Sequence, residues 1–380
     1  MTTTRPRRTP DKLFVLPESE PIGPPVAAGR ARRRADLRRR RRRTALVALG
    51  AAVLVLAGVM VVRSGSGGPG GTGDAGAEGA AGRADLLVLS VSGAPKPMLA
   101  VIGGGGPRPA AMAVPIGLTL EAPGRGEITT RRAAELPGAS LQVAAANTLG
   151  TWVDHYATTD LGRLGAIVDR AGGLRVHLTE SVIVGQEALG PGEVVMDGTQ
   201  LQVYLALPGV NGFTRWEIVL TALLEHPPAL RPGDLVETDD LDGVEAVLAR
   251  ALGARLETMP IVIAAARVRV PDYAGLDALM AERFGVKRPP TPVIVQNGVG
   301  TPGLGESVGR LLIPRGFRIT LSQNAATFDH ETTQIIAILR PSVDAARRAR
   351  AALGVGDIAV TRVPSGIGDV MIVVGKDFAA

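Results

Sequence analysis

Thr44 to Val62 is an unbroken run of 19 residues without a charge. At 1.5 Å per helical residue, about 20 apolar residues cross the hydrocarbon core of a bilayer. Arg38–Arg43 is a solid arginine block on its amino side, whereas only Arg63 lies close on the other. Positive charge stays on the cytoplasmic side, so the pattern predicts a single-pass plasma-membrane anchor with the amino terminus inside and the remaining chain outside. A buried core helix has no use for the ten arginines of Arg30–Arg43. A cleaved signal peptide, with its apolar stretch of about 7–15 residues, is the other reading, and the 43 residues before the run are long for one.

The anchor divides the charge. Of 42 Lys+Arg in the chain, 14 fall within residues 1–43, against 4 acidic residues there. The tail thus carries a net +10, and the remaining residues a mildly acidic −4. The high isoelectric point belongs to the tail, and a nucleic-acid-binding reading of the globular part loses its support. The chain's expected partner is membrane lipid; the basic tail, Pro- and Arg-rich and expected to be disordered, reads first as setting topology, with contact to anionic headgroups as the lesser reading. Residues 63–83 follow as a spacer, with nine glycines between Ser64 and Gly82. The chain has no cysteine, which excludes disulfides, thiolate metal sites and cysteine nucleophiles. Usage heavy in Ala, Gly, Arg and Pro is similar to that of high-GC actinobacteria.

Beyond the spacer, strands and helices alternate, which predicts α/β layering. Leu86–Val91, Met98–Ile102, Ala111–Val114 and Leu174–Leu178 read as strands, with a turn at Gly103–Gly106. Ala139–Leu149, Leu161–Ala171, Thr199–Leu205, Arg215–Leu224, Asp240–Leu252 and Ala274–Phe284 have helical spacing. Gly185–Gly192 is turn-rich. Lys287–Pro292 is a proline-rich hinge between a domain over 84–286 and a module over 291–380. In the module, Val293–Gln296, Gly303–Arg315 and Phe317–Gln323 read β-α-β. Thr332–Leu339, Ser342–Leu353 and Asp357–Arg362 repeat it, and Asp369–Val374 adds a last strand.

Several stretches resemble one family. Arg83-Ala84-Asp85 opening LLVLSV looks like the first strand of LytR-CpsA-Psr (LCP) domains. Trp152–Asp160, Gly172-Gly173-Leu174-Arg175-Val176, the Asp197-Gly198-Thr199-Gln200…Tyr204 segment and the helix from Arg215-Trp216-Glu217 resemble that family's central segments. Val295-Gln296-Asn297-Gly298, Pro302-Gly303-Leu304, Gly316-Phe317 and Gly375-Lys376-Asp377-Phe378 resemble the LytR C-terminal domain. The fold implied is a divergent LCP-like α/β domain followed by a small βαβ-repeat module. The activity implied is extracytoplasmic transfer of a glycopolymer from a polyprenyl-pyrophosphate carrier to peptidoglycan. Its chemistry needs arginines for pyrophosphate and carboxylates for a divalent cation such as Mg2+. The matching positions here are Arg83, Asp85 and Arg215 for ligand, with Asp85 also for metal. The family's Pro-Arg-Asp falls on Pro115-Ile116-Gly117. Replacement arginines would be Arg108, Arg125, Arg131 or Arg132. The resemblance also implies an apolar tunnel for the polyprenyl tail, lined by helices of residues 139–224.

Other motifs read as structural. His155, His177, His226 and His330 show no metal-ligand spacing. The acidic turn Thr238–Gly243 lacks a calcium-loop pattern and reads as a helix cap, as does Thr158–Asp160. Gly298–Gly303 opens a helix without a phosphate-loop lysine. Three functional readings stay open. One is a degenerate envelope protein holding a polyprenyl-phosphate-linked glycan, peptidoglycan or an envelope protein partner without turnover. The others are an active phosphotransferase and a non-enzymatic interaction module.

Overall fold

The computed structural model describes residues 83–104, 108–209 and 212–378. The expected tail, membrane span and spacer, Arg83 excepted, lie outside the described residues. Among the described residues no helix is long and apolar enough to cross a membrane.

The chain opens with β1 (Asp85–Ser92), β2 (Met98–Gly104) and β3 (Ala110–Ala113), then a hairpin of β4 (Thr119–Ala122) and β5 (Gly126–Thr129). A single turn, α1 (Thr130–Ala133), leads to α2 (Gly138–Leu149). Next come β6 (His155–Asp160), α3 (Leu161–Arg170) and β7 (Leu174–Leu178). A small hairpin, β8 (Val182–Val184) and β9 (Glu187–Leu189), precedes β10 (Gly192–Met196). Two helices follow, α4 (Gly198–Ala206) and α5 (Gly212–Glu225). The domain closes with β11 (Glu237–Thr238), α6 (Leu241–Arg250), β12 (Arg255–Thr258), the hairpin β13 (Ile261–Ile263) and β14 (Arg269–Pro271), and α7 (Tyr273–Phe284).

The central sheet has the order β11-β6-β1-β2-β3-β12. β1 runs parallel to β6 and antiparallel to β2; β3 is antiparallel to β2 and parallel to β12. The carboxyl ends of β1, β3, β6 and β12 therefore share one edge of the sheet. The continuous apolar run of β1 follows from burial on both faces. Leu87 and Val91 pack into one core, and Leu86 and Val88 into the other. The first core lies under α3, α4, α5 and α6, and the second under α2 and α7. Met98–Gly104 is strand throughout, so the turn expected at Gly103–Gly106 does not begin at Gly103 or Gly104, and residues 105 and 106 lie outside the described residues.

Helix starts follow their caps. Asp160 accepts from the Arg163 amide at 2.9 Å, and Asp197 and Gln200 form a reciprocal capping box. The α3–α4 crossing requires two glycines, since a Cβ on Gly198 would stand 2.1 Å from the Gly165 carbonyl oxygen.

The module is a five-stranded sheet of order β16-β15-β19-β17-β18, from β15 (Thr291–Asn297), β16 (Phe317–Asn324), β17 (Gln334–Ile338), β18 (Asp357–Thr361) and β19 (Val370–Val374). Two parallel crossovers, through α8 (Leu304–Leu312) and α9 (Val343–Leu353), give the repeated β-α-β unit.

Lys287–Pro292 joins the two parts, and the seam between them is hydrogen-bonded through rather than open. Asn147, on α2 and fully buried, bonds the outer edge of β16: its Oδ1 accepts from the Ile319 amide at 2.7 Å, and its Nδ2 donates to the Ile319 carbonyl at 2.9 Å. The side-chain amide thus stands in for the neighbouring strand that this sheet edge lacks. Buried Arg318 pairs with Asp277 at 2.6 Å and lies over the Tyr273 ring at 4.5 Å. Glu121 accepts from the Ser322 amide at 2.8 Å. Of the twelve α2 residues, ten are buried, because sheet and module cover the helix from two sides; its sequence is accordingly apolar nearly all round.

Candidate functional site: an apolar cavity beside a basic sheet edge

A cavity of about 70 Å³ lies between the central sheet and the α3/α5/α6 layer. Leu87, Leu89 and Val91 of β1 form its floor, and Leu220, Leu223 and Leu224 of α5 its roof. The segment His226–Val236 straps one side, contributing Pro227, Pro228, Leu230 and Leu235. Arg170 pairs with Asp234, Thr159 Oγ1 donates to the Asp234 carbonyl at 2.9 Å, and the Val236 amide donates to the Thr158 carbonyl at 2.7 Å. Thr159 supplies the only hydroxyl in a lining that is otherwise aliphatic apart from the Met98 thioether. The cavity is smaller than the roughly 150 Å³ cavity that takes up benzene, so a lipid tail enters only if the strap or α5 yields.

A second feature sits at the carboxyl edge of the sheet. The β1–β2 turn carries Lys96, whose Nζ donates to the Gly209 carbonyl at 2.7 Å. Arg131 donates to the Pro95 carbonyl in the same turn. Arg215, at the start of α5, donates to the Leu207 and Pro208 carbonyls and lies 5.9 Å from the Tyr204 ring centre. The Trp216 indole donates to the Lys96 carbonyl at 2.7 Å and fixes this corner. Burial pushes the Tyr204 hydroxyl pKa up, so it remains a neutral phenol beside the guanidinium. Three cations thus surround one turn, and each is tied to main-chain carbonyls rather than to a carboxylate.

The structure does not bring Arg83, Asp85 and Arg215 together. Arg83 and Asp85 stand at the amino end of β1, and Arg215 near its carboxyl end. Eight residues of strand separate the ends, roughly 23 Å at about 3.3 Å per residue. Arg83 forks onto Asp154 at 2.7 and 3.0 Å and donates to the Trp152 carbonyl; Asp154 also accepts from the Leu86 amide at 2.8 Å. Asp85 pairs with Arg250 at 2.7 Å. Mg2+ demands several free oxygen ligands in near-octahedral array. With Asp85 held by Arg250 and Asp154 by Arg83, these residues do not fit that ion. Among the described residues, no group of three or more His, Asp or Glu side chains is gathered for a metal.

Of the alternative arginines, only Arg131 reaches the basic edge. Arg108 is exposed, Arg132 pairs with Glu135, and Arg125 lies at the seam beside Glu306. Ile116 packs into an apolar notch with Phe213, Trp216 and Leu220. Thr130 pins the surrounding turn, donating to the Pro115 carbonyl and accepting from the Gly117 amide. Of the helices within residues 139–224, α3 and α5 border this cavity. α2 packs on the opposite face of the sheet, and the strap, beyond residue 224, was not anticipated. Lys96 was also missed; a lone lysine between two prolines carries no sequence signal.

His155 contacts Asp239 at 3.2 Å and His330 contacts Thr327, in separate domains. Asp240 caps α6, and the Asn297 side chain organises the glycine turn before α8, accepting from the Val299 and Gly300 amides.

Fold and site together define a two-part mixed α/β protein with an internal apolar cavity next to a basic sheet edge. Residues 291–378 match the family described as LytR cell envelope-related transcriptional attenuator. Among solved structures, the chain is similar to Bacillus subtilis TagV, with 12% identity over 55% of this chain and 99% of that one, at a TM-score of 0.45. It is similar to a transcriptional regulator from Enterococcus faecalis, with 16% identity over 54% of this chain and 89% of that one, at a TM-score of 0.45. It is also similar to the LytR-CPS2A-psr family protein YwtF (TagT) of Bacillus subtilis with bound octaprenyl pyrophosphate lipid, with 13% identity over 60% and 97%, at a TM-score of 0.44. No curated protein matches the chain.

Proposed function

We propose that this chain is a membrane-anchored, extracytoplasmic cell-envelope protein that holds the apolar tail of a polyprenyl-phosphate-linked ligand without turning it over. The observation that carries the reading is the apolar cavity, lined by aliphatic side chains with Met98 and Thr159, while a cationic turn sits at the edge of the same sheet. Lys96, Arg131 and Arg215 are the groups suited to a phosphate there, exchanging main-chain carbonyls for charged oxygens. Turnover would need a neutralised pyrophosphate. The position where the family pattern carries Arg-Asp is Ile116-Gly117, and Ile116 lies against aromatic and aliphatic side chains. Residues 44–62 would hold the protein at the membrane in which such lipids reside.

The test uses the full chain in nanodiscs, with undecaprenyl phosphate as probe for binding and a polyprenyl-pyrophosphate glycan with Mg2+ as probe for turnover. The expected result is saturable binding without release of lipid product above background. Ala157 is fully buried in β6 and faces the cavity. An Ala157→Leu variant fills the space and is expected to melt at or above the wild-type temperature while losing binding. Product release that the variant abolishes would establish a working transferase instead.

A further inference from the structure

The β13–β14 hairpin has no role in the cavity, yet it is the most exposed apolar element of the described residues. Ile261, Val262, Ile263 and Val268 are 40%, 44%, 71% and 39% exposed. Successive strand residues point to opposite faces, so exposure of three in a row means that β13 is wet on both faces. It pairs with β14 alone, which leaves its outer edge open as well. Soluble proteins blunt such edges with charge. Here the finger from Ile261 to Val270 reads IVIAAARVRV, without an acidic residue and with Arg267 and Arg269 as its only charges. Both arginines are exposed, and neither has an ion-pair partner among the described residues. Arg267 holds a φ of 61°, in the left-handed region where glycine is the unstrained choice.

The geometry points to this hairpin as a wedge that seats in the interfacial layer of an anionic phospholipid membrane. Exposed aliphatic side chains along β13 and at Val268, with Arg267 in the turn and Arg269 at the start of β14, match acyl boundary and phosphate headgroups respectively. Two three-residue strands extend roughly 10 Å, about the depth of that layer. The hairpin leaves the carboxyl end of β12, with the Met259 amide still bonded to the Ala113 carbonyl. It therefore stands on the same sheet edge as Lys96, Arg131 and Arg215, and seating it would turn that edge toward the headgroups. This inference does not depend on the cavity being a lipid site.

The chain lacks cysteine, so single-cysteine labelling is clean. Full-length Ile263→Cys carries an environment-sensitive fluorophore; Ile183→Cys, at 70% exposure on the β8–β9 hairpin, is the control. Both are placed, one chain per disc, in nanodiscs of phosphatidylcholine with or without phosphatidylglycerol, with brominated acyl chains as quencher. The expected result is blue-shifted, quenched emission at position 263 only in anionic discs. Arg267→Glu with Arg269→Glu should weaken it about fivefold per residue removed, the equivalent of about 1 kcal/mol each. Equal behaviour at 263 and 183, or a signal at 263 indifferent to lipid charge and to both arginines, overturns the proposal. So does a shift at 263 that appears without lipid and grows with protein concentration, since it assigns the edge to a protein strand.

Discussion

Replacing Asn147 with alanine removes three hydrogen bonds at once: to the Ile319 amide at 2.7 Å, to its carbonyl at 2.9 Å, and to the Glu121 carbonyl at 3.0 Å. Asn147 is fully buried, so its partners lose a bond in a place that water does not reach freely. A buried polar group left unpaired costs about 1–3 kcal/mol. Three such groups at the low end give about 3 kcal/mol, concentrated at the seam and the outer edge of β16. The assay is amide hydrogen exchange on the full chain, following the peptide over residues 317–324, because a two-part chain does not report one global unfolding energy. Exchange there should accelerate on the order of 100-fold, with β17 and β19 little changed. Asn147→Asp keeps one acceptor but sets an oxygen against two carbonyls, so it should open the seam at least as far, with partial recovery on acidification. Exchange within twofold of wild type in both variants would refute the view that this side chain closes the sheet edge.

Burial lifts the Glu121 carboxyl to about 7, opposed by the hydrogen bond from the Ser322 amide and aided by the nearby Glu127 charge. The folded chain then keeps its proton where the unfolded chain has lost it. Local stability at the seam, read from exchange of the 317–324 peptide corrected for intrinsic pH dependence, should fall between pH 4.5 and 7 by on the order of 3 kcal/mol relative to a Glu121→Gln variant. Asp85 and Arg250 are both about half exposed, so Asp85→Asn should shift stability by less than about 1 kcal/mol and leave polyprenyl-phosphate binding unaltered. Gly198→Ala, with its Cβ 2.1 Å from the Gly165 oxygen, should force α3 and α4 apart and lower the melting temperature by several degrees.

The module was legible in the sequence nearly strand for strand, because its β-α-β units are local. Gly303 opens the first helix with a φ of 80°, and Gly354 ends the second with a φ of 76°. In the larger domain the long apolar runs and capped helices were equally plain. Strands without a continuous apolar run were not: β6 and β10, six and five residues long, were not read as strands, nor were β4, β5, β12 and β13, of three or four residues each. Arg83, Asp85 and Arg215 were singled out by the family resemblance, which does not say that one strand length separates them. Lys96, Asn147 and the strap over the cavity act through contacts more than 60 residues away in sequence, which no local pattern encodes.

Photo-crosslinking with a benzophenone-bearing polyprenyl phosphate tests the central claim most directly. The full chain in nanodiscs is irradiated, digested and mapped by mass spectrometry. Label on the α5 and strap peptides, residues 216–236, displaced by unmodified undecaprenyl phosphate and lost in Ala157→Leu, is the predicted result. Label confined to α2 or to the module, or unchanged by the cavity-filling substitution, would contradict it.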